Sequence, residues 1–125
     1  MTREKKRILL AEDDPQSAAL LTRLLSVDYE IIEVADGAEA LWELQQAPAP
    51  DLVLADLMMP EMDGLTMIRE MKSNPKLKRI PVIIITAKDG AKDVIEGINV
   101  GAKHYIVKPF KGVDVLEKVR KLIGA

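Results

Sequence analysis

Four places in this 125-residue chain carry groups capable of phosphorus or metal chemistry, each where a short apolar run breaks off. The run "ILLA" ends in Glu12-Asp13-Asp14, "DLVLA" in Asp56, "VIIIT" in Thr86, and "YIV" in Lys108-Pro109. Glu12, Asp13 and Asp56, brought together, form a crowd of carboxylates that repels itself unless a cation compensates. The chain has no cysteine and one histidine, His104. An all-oxygen donor set on an open rim suits Mg²⁺, which keeps several waters and shares its remaining positions with phosphate oxygens. Calcium comes second, because no D-x-D-x-D-G loop is present. The Lys108 ammonium, the Thr86 hydroxyl and the backbone N–H groups past residue 86 could neutralise phosphoryl oxygens. Flanked by metal and ammonium, Asp56 becomes a nucleophile that forms an aspartyl-phosphate. Taken singly, each acid could as well be a helix cap or a solvated turn, and Asp14 is assigned to capping. The joint placement at strand ends distinguishes the others.

Five runs read as strands: residues 7–11, 30–34, 51–55, 81–86 and 105–108. Four lack polar alternation, as strands covered on both faces do. The run "EIIEV" carries charge at both ends and suits an edge. Helical periodicity fills the intervals at 15–26, 37–47, 64–73, 90–100 and 113–123. Asp14-Pro15 reads as cap and first-turn proline, and Asp36 with Glu39 as a capping-box analogue. Pro48, Asn74-Pro75, Gly101 and Gly124 read as helix stops. Strict alternation of strand and helix predicts a parallel sheet with right-handed crossovers and helices on both faces. The fold class is thus α/β, a (βα)5 three-layer sandwich with strand order 2-1-3-4-5. Ligands of such sheets sit beyond the carboxyl ends of the strands where the order reverses, between the first and third. That is where the four places above must meet.

The length fits one domain over 1–125, with a core over about 6–123. The formal net charge is −2, with four aromatic residues and no basic stripe, which disfavours direct nucleic-acid binding. "REKKR" at 3–7 and "KLKR" at 76–79 read as solvated surface. No signal peptide or membrane span is legible. Absence of cysteine is compatible with a reducing compartment, so the expected location is cytoplasmic.

The ordered set "ILLAEDDP", "DLVLADLMMPEMDG", "VIIITAK" and "YIVKPF" resembles the receiver domains of two-component response regulators, the chemotaxis regulator among them, which share the flavodoxin-like arrangement. By that resemblance Asp56 is the phosphorylated residue. Glu12, Asp13, Asp56 and the backbone carbonyl of Met58 hold Mg²⁺, while Thr86, the Ala87 N–H and Lys108 bind phosphoryl oxygens. The resemblance also implies a cis bond at Lys108-Pro109, a class of bond found mainly before proline. Tyr105 is implied to turn inward on phosphorylation and alter the surface of the fourth helix, fifth strand and fifth helix. Glu12 departs from the family, which more often has Asp there, and its longer arm could reach the ion through water. Met58 and Lys88 fall at positions that tune hydrolysis, and an apolar Met58 predicts slow autodephosphorylation.

The implied donor is a phosphohistidine on a sensor histidine kinase or phosphotransfer protein, so the chain is a signalling phosphoacceptor, able to self-phosphorylate, rather than an enzyme. His104 is expected in a turn or on the surface just before the fifth strand. Met67 and Met71 are expected in the core, and some of Met58, Met59 and Met62 exposed. Three other readings share parts of the pattern. A phosphorylation-independent pseudo-receiver would use the surface alone. In a flavodoxin-like cofactor binder "AEDDPQS" would repel the phosphate. A haloacid-dehalogenase-type phosphatase would need a D-x-D-x-T motif that is absent. The output target, or any effector segment, cannot be read from the chain.

Overall fold

The apolar runs form one parallel sheet because each presents alternate side chains to opposite helical layers. In the computed structural model, which describes residues 5–46 and 48–124, five strands alternate with five helices. The strands are β1 (Arg7–Ala11), β2 (Glu30–Val34), β3 (Leu52–Ala55), β4 (Val82–Thr86) and β5 (His104–Val107), in the order β2-β1-β3-β4-β5. The helices are α1 (Pro15–Leu25), α2 (Gly37–Leu44), α3 (Gly64–Ser73), α4 (Ala91–Asn99) and α5 (Gly112–Ile123). Arg3, Glu4 and Ala47, which bear on the expected basic arm and the expected end of α2, lie outside the described residues, as do the remaining terminal residues of the expected domain.

Ile8 and Leu10 of β1 join Leu52, Leu54, Ile83 and Ile85 in a core capped by Leu21 and Leu25 of α1 and by Val115 and Val119 of α5. Leu9 and Ala11 face the other way, into a core with Ala40 and Leu44 of α2 and with Met67, Ile68 and Met71 of α3. Each fully buried aliphatic side chain contributes about 1.5–3 kcal/mol relative to exposure. Met67 and Met71 are wholly buried, as expected, and Met58 is 55% exposed.

The helix starts follow local chemistry. Asp14, Asp36 and Asp63 each accept a backbone N–H three residues on, which satisfies one of the orphan donors of the first turn. Several boundaries differ from expectation. α2 stops at Leu44, where the Gln45 N–H turns back to Trp42 and Glu43, well before Pro48. β3 begins at Leu52, one residue later than expected; the Asp51 side chain accepts the Arg7 N–H at 2.8 Å and the Asp51 N–H donates to the Arg7 carbonyl at 2.8 Å. His104 is the first residue of β5 and not a residue before it, and Lys108 lies just past the strand. β5 is the second edge of the sheet, and like β2 it is bounded by charge, Lys103 before it and Lys108 after it. In α4 only Gly97 is buried; Ile95 and Ile98, which keep helical spacing, are 60% and 44% exposed.

Candidate functional site

Register assembles the site. Ala11 pairs with Ala55 across β1 and β3, and the Asp56 N–H extends that ladder by donating to the Ala11 carbonyl at 3.0 Å. Glu12 and Asp56 therefore leave adjacent strands at one level. On the other flank Thr86 pairs with Val107, and the Lys108 N–H donates to the Thr86 carbonyl at 2.8 Å. The peptide bond from Lys108 to Pro109 is cis, as the family resemblance implied.

Asp56 is 6% exposed and held from three directions. Its Oδ1 accepts from Thr86 Oγ1 at 2.7 Å and from the Met58 N–H at 2.9 Å, and its Oδ2 pairs with Lys108 Nζ at 2.9 Å. Lys108 Nζ also reaches Glu12 Oε1 at 2.5 Å. The second Glu12 oxygen accepts the Asp14 N–H at 3.2 Å. Lys108 thus bridges two buried carboxylates from the adjacent strands.

These contacts set the charges. Burial is the largest single influence on Asp56 and pushes its pKa up, but the hydrogen bonds from Lys108, the Met58 N–H and Thr86 together hold it below the ordinary carboxylate value. Asp56 is therefore ionised at neutral pH, as a nucleophile must be. Glu12 goes the other way: burial raises its pKa and the Asp56 charge adds to the rise, against the opposing pull of Lys108. For Lys108 the desolvation cost is outweighed by its bonds to Asp56 and Glu12, so its pKa is raised and it stays charged.

Asp13 stands apart from this trio. It is exposed and lines a cleft of about 460 Å³ with Met58, Met59, Pro60, Asp63 and Lys88. Among the described residues no group of three or more His, Asp or Glu side chains is gathered closely enough to hold a metal ion. The expected convergence of three carboxylates is therefore met only for Glu12 and Asp56, whose oxygens turn to Lys108. The donor chemistry nonetheless fits a hard divalent ion, since three carboxylates against one ammonium leave uncompensated negative charge at an all-oxygen rim.

Around this centre, Ala87 and Lys88 follow β4 and are exposed, and the Lys88 N–H points to Thr86 Oγ1 at 3.4 Å. Tyr105 is half-buried on β5, and its hydroxyl donates to the Lys88 carbonyl at 2.7 Å. His104 next to it is partly buried; burial, then Lys118 and Lys121, lower its pKa. Sequence reasoning passed over the role of Asp63-Gly64. Asp63 caps α3 through the Thr66 N–H at 2.8 Å, and a Cβ on Gly64 would lie 2.3 Å from the Asp56 carbonyl oxygen. The available signal was an Asp-Gly pair directly before a helical period.

Residues 8–120 match the family described as response regulator receiver domain. The chain belongs to that family. Over 117 residues this receiver domain is 39% identical to the response regulator PleD of Caulobacter vibrioides, covering 93% of this chain and 26% of that protein. It is 36% identical over 117 residues to the DNA-binding response regulator MtrA of Mycolicibacterium smegmatis, covering 93% of this chain and 50% of that protein. The chain thus spans about a quarter to a half of the length of these relatives. Among solved structures, the receiver domain of the sensor histidine kinase PA1611 from Pseudomonas aeruginosa, with a magnesium ion coordinated in its active site cleft, matches with a TM-score of 0.85. That pair is 30% identical, with 97% of this chain and 99% of that chain covered. The receiver fold and its place in two-component signalling are thereby shown. The expectation of no contact with nucleic acid gains no support, because MtrA is itself named as DNA-binding. Among the described residues, no helix is long and apolar enough to cross a membrane.

Proposed function

We propose that Asp56 accepts a phosphoryl group from a phosphohistidine on a sensor histidine kinase or phosphotransfer protein, in the cytoplasm. The observation that carries this reading is the three-sided hold on Asp56 by Lys108, Thr86 and the Met58 N–H. Glu12, Asp13, Asp56 and the Met58 carbonyl would hold Mg²⁺, which supplies positive charge to the phosphoryl oxygens when bound. In the transfer, an Asp56 carboxylate oxygen forms the new O–P bond as the N–P bond of the donor breaks, and the departing imidazole nitrogen takes up a proton. Positioning and charge neutralisation are the main demands of such a step. Lys108 meets part of that demand once it exchanges its Asp56 contact for a phosphoryl oxygen, and the Thr86 hydroxyl and the Ala87 N–H serve the other oxygens.

A phosphoryl group on Asp56 also draws Thr86 inward. The Tyr105 hydroxyl, now on the Lys88 carbonyl, is then free to follow, which changes the face made by α4, β5 and α5. Ile95 and Ile98 already stand exposed there. A module that never took up phosphate would have no use for an ionised, buried aspartate ringed by donors. The test is intact mass after incubation with a small phosphodonor and Mg²⁺. A gain of one phosphoryl group that is absent when a chelator is present throughout the incubation supports the reading, and an unchanged mass in both samples rejects it. Because the apolar Met58, two residues past Asp56, lines the cleft with Asp13 and Lys88, the modified protein should lose phosphate slowly once the donor is removed. Decay faster than that of a Met58→Asn variant would contradict this role for Met58.

A further inference from the structure

The loop from β3 to α3 carries Asp56 and Met58; the Met59 and Met62 side chains of this loop pack against the core, but its backbone over residues 58–62 is held by few hydrogen bonds. Inside the loop the Met62 N–H donates to the Pro60 carbonyl at 2.7 Å, across Glu61 with its φ of 63°. This is a three-residue γ-turn, a strained form for a residue other than glycine. Beyond the loop, among the described residues, one backbone–backbone hydrogen bond reaches this span: the Gly37 N–H, at the start of α2, donates to the Met62 carbonyl at 2.9 Å.

That bond requires a residue without a side chain. A Cβ on Gly37 would lie 2.6 Å from the same carbonyl oxygen and 2.9 Å from Met62 Cγ. The Met62 side chain could swing aside, but the backbone oxygen is the acceptor itself and cannot retreat without breaking the contact. Neither the helix nor the turn before it asks for glycine here. Gly37 does not have a positive φ, and glycine is the poorest helix former after proline. At the other end of the loop Gly64 makes the matching close approach to the Asp56 carbonyl. Between these anchors lie Met58 to Glu61, with the Met58 N–H also on Asp56 Oδ1 and the Met59 side chain against the core.

We propose that Gly37 is a positioning residue for the metal-holding loop, its bare α-carbon letting α2 grip the Met62 carbonyl and so fix the Met58 carbonyl above Glu12, Asp13 and Asp56. The inference rests on the reading of Met58 as a Mg²⁺ ligand. It makes α2, on the far side of the sheet order from α4 and β5, a mechanical support of the acidic rim.

The test is Mg²⁺ affinity by titration calorimetry for the wild type, Gly37→Ala and Ala38→Gly. Ala38 is exposed, so its replacement weakens α2 without touching Met62. Gly37→Ala should bind Mg²⁺ about 10-fold more weakly, the scale of losing a group that orients a metal ligand, while Ala38→Gly keeps wild-type affinity. Unchanged affinity in Gly37→Ala, or an equal loss in both variants, overturns the proposal. If Gly37→Ala does not fold, amide hydrogen exchange on the wild type decides instead: Mg²⁺ should slow exchange of the Gly37 N–H, and an unaltered rate overturns the idea. A wild type that binds no Mg²⁺ removes the metal reading itself, and is told apart from the other outcomes because no variant is needed to see it.

Discussion

Lys108 is the residue on which the charges of the site balance, since its ammonium lies between Glu12 and Asp56. Removing it leaves two buried carboxylates facing one another with no cation between them, and breaking a buried pair in this way costs about 3 kcal/mol. Lys108→Ala should therefore unfold at lower denaturant concentration at neutral pH, and added Mg²⁺ should recover part of the loss. Equal midpoints for variant and wild type without metal would show that the bridge contributes nothing. The sequence made Lys108, Asp56, Glu12 and Thr86 legible because each directly follows an apolar run whose end must reach the same sheet edge. It did not reveal that Lys108 grips both carboxylates, or that Asp13 stands outside the trio. Those facts depend on side-chain length and rotamer, which spacing does not encode.

The elements show where periodicity informs and where it stops. Met71 keeps helical spacing with Ile68 on α3, and both are fully buried. Met71→Ala should cost about 2–5 kcal/mol, through lost transfer energy and the cavity left behind, read as a shift of the unfolding midpoint; a loss well under 1 kcal/mol would mean that the layer collapses around the gap. Ile95 and Ile98 keep the same spacing on α4 yet are exposed, because periodicity reports that a helix has an apolar stripe and not what covers it. On β5 the sequence placed His104 before the strand, since a polar residue after Gly101-Ala102-Lys103 reads as turn. Its position inside an edge strand, close to Lys118 and Lys121, has a pH consequence. The folded pKa lies below the ordinary value of 6.5, so the unfolded chain binds the proton more readily. The stability this residue contributes is present above about pH 6.5 and is lost as pH falls through the folded value. Between pH 7.5 and 5.5 the wild type should lose more stability than His104→Gln, and parallel curves for the two proteins would refute the assignment.

At the scale of the whole molecule, parallel strands in the order β2-β1-β3-β4-β5 put the ends of β1 and β3 side by side with β4 next to them, so residues far apart in sequence share one rim. This was legible because five strand-like and five helix-like periods alternate without interruption. The strand register, Ala11 against Ala55 and Thr86 against Val107, was not, since it depends on packing in both helical layers at once. The central claim is that this rim turns one aspartate into an acceptor of phosphorus. Its most direct test is incubation of wild type and Asp56→Asn with labelled acetyl phosphate and Mg²⁺, followed by counting the label retained on protein. Stable labelling of the wild type and none of Asp56→Asn is the predicted result; an unlabelled wild type, or a variant labelled as well as the wild type, would contradict it.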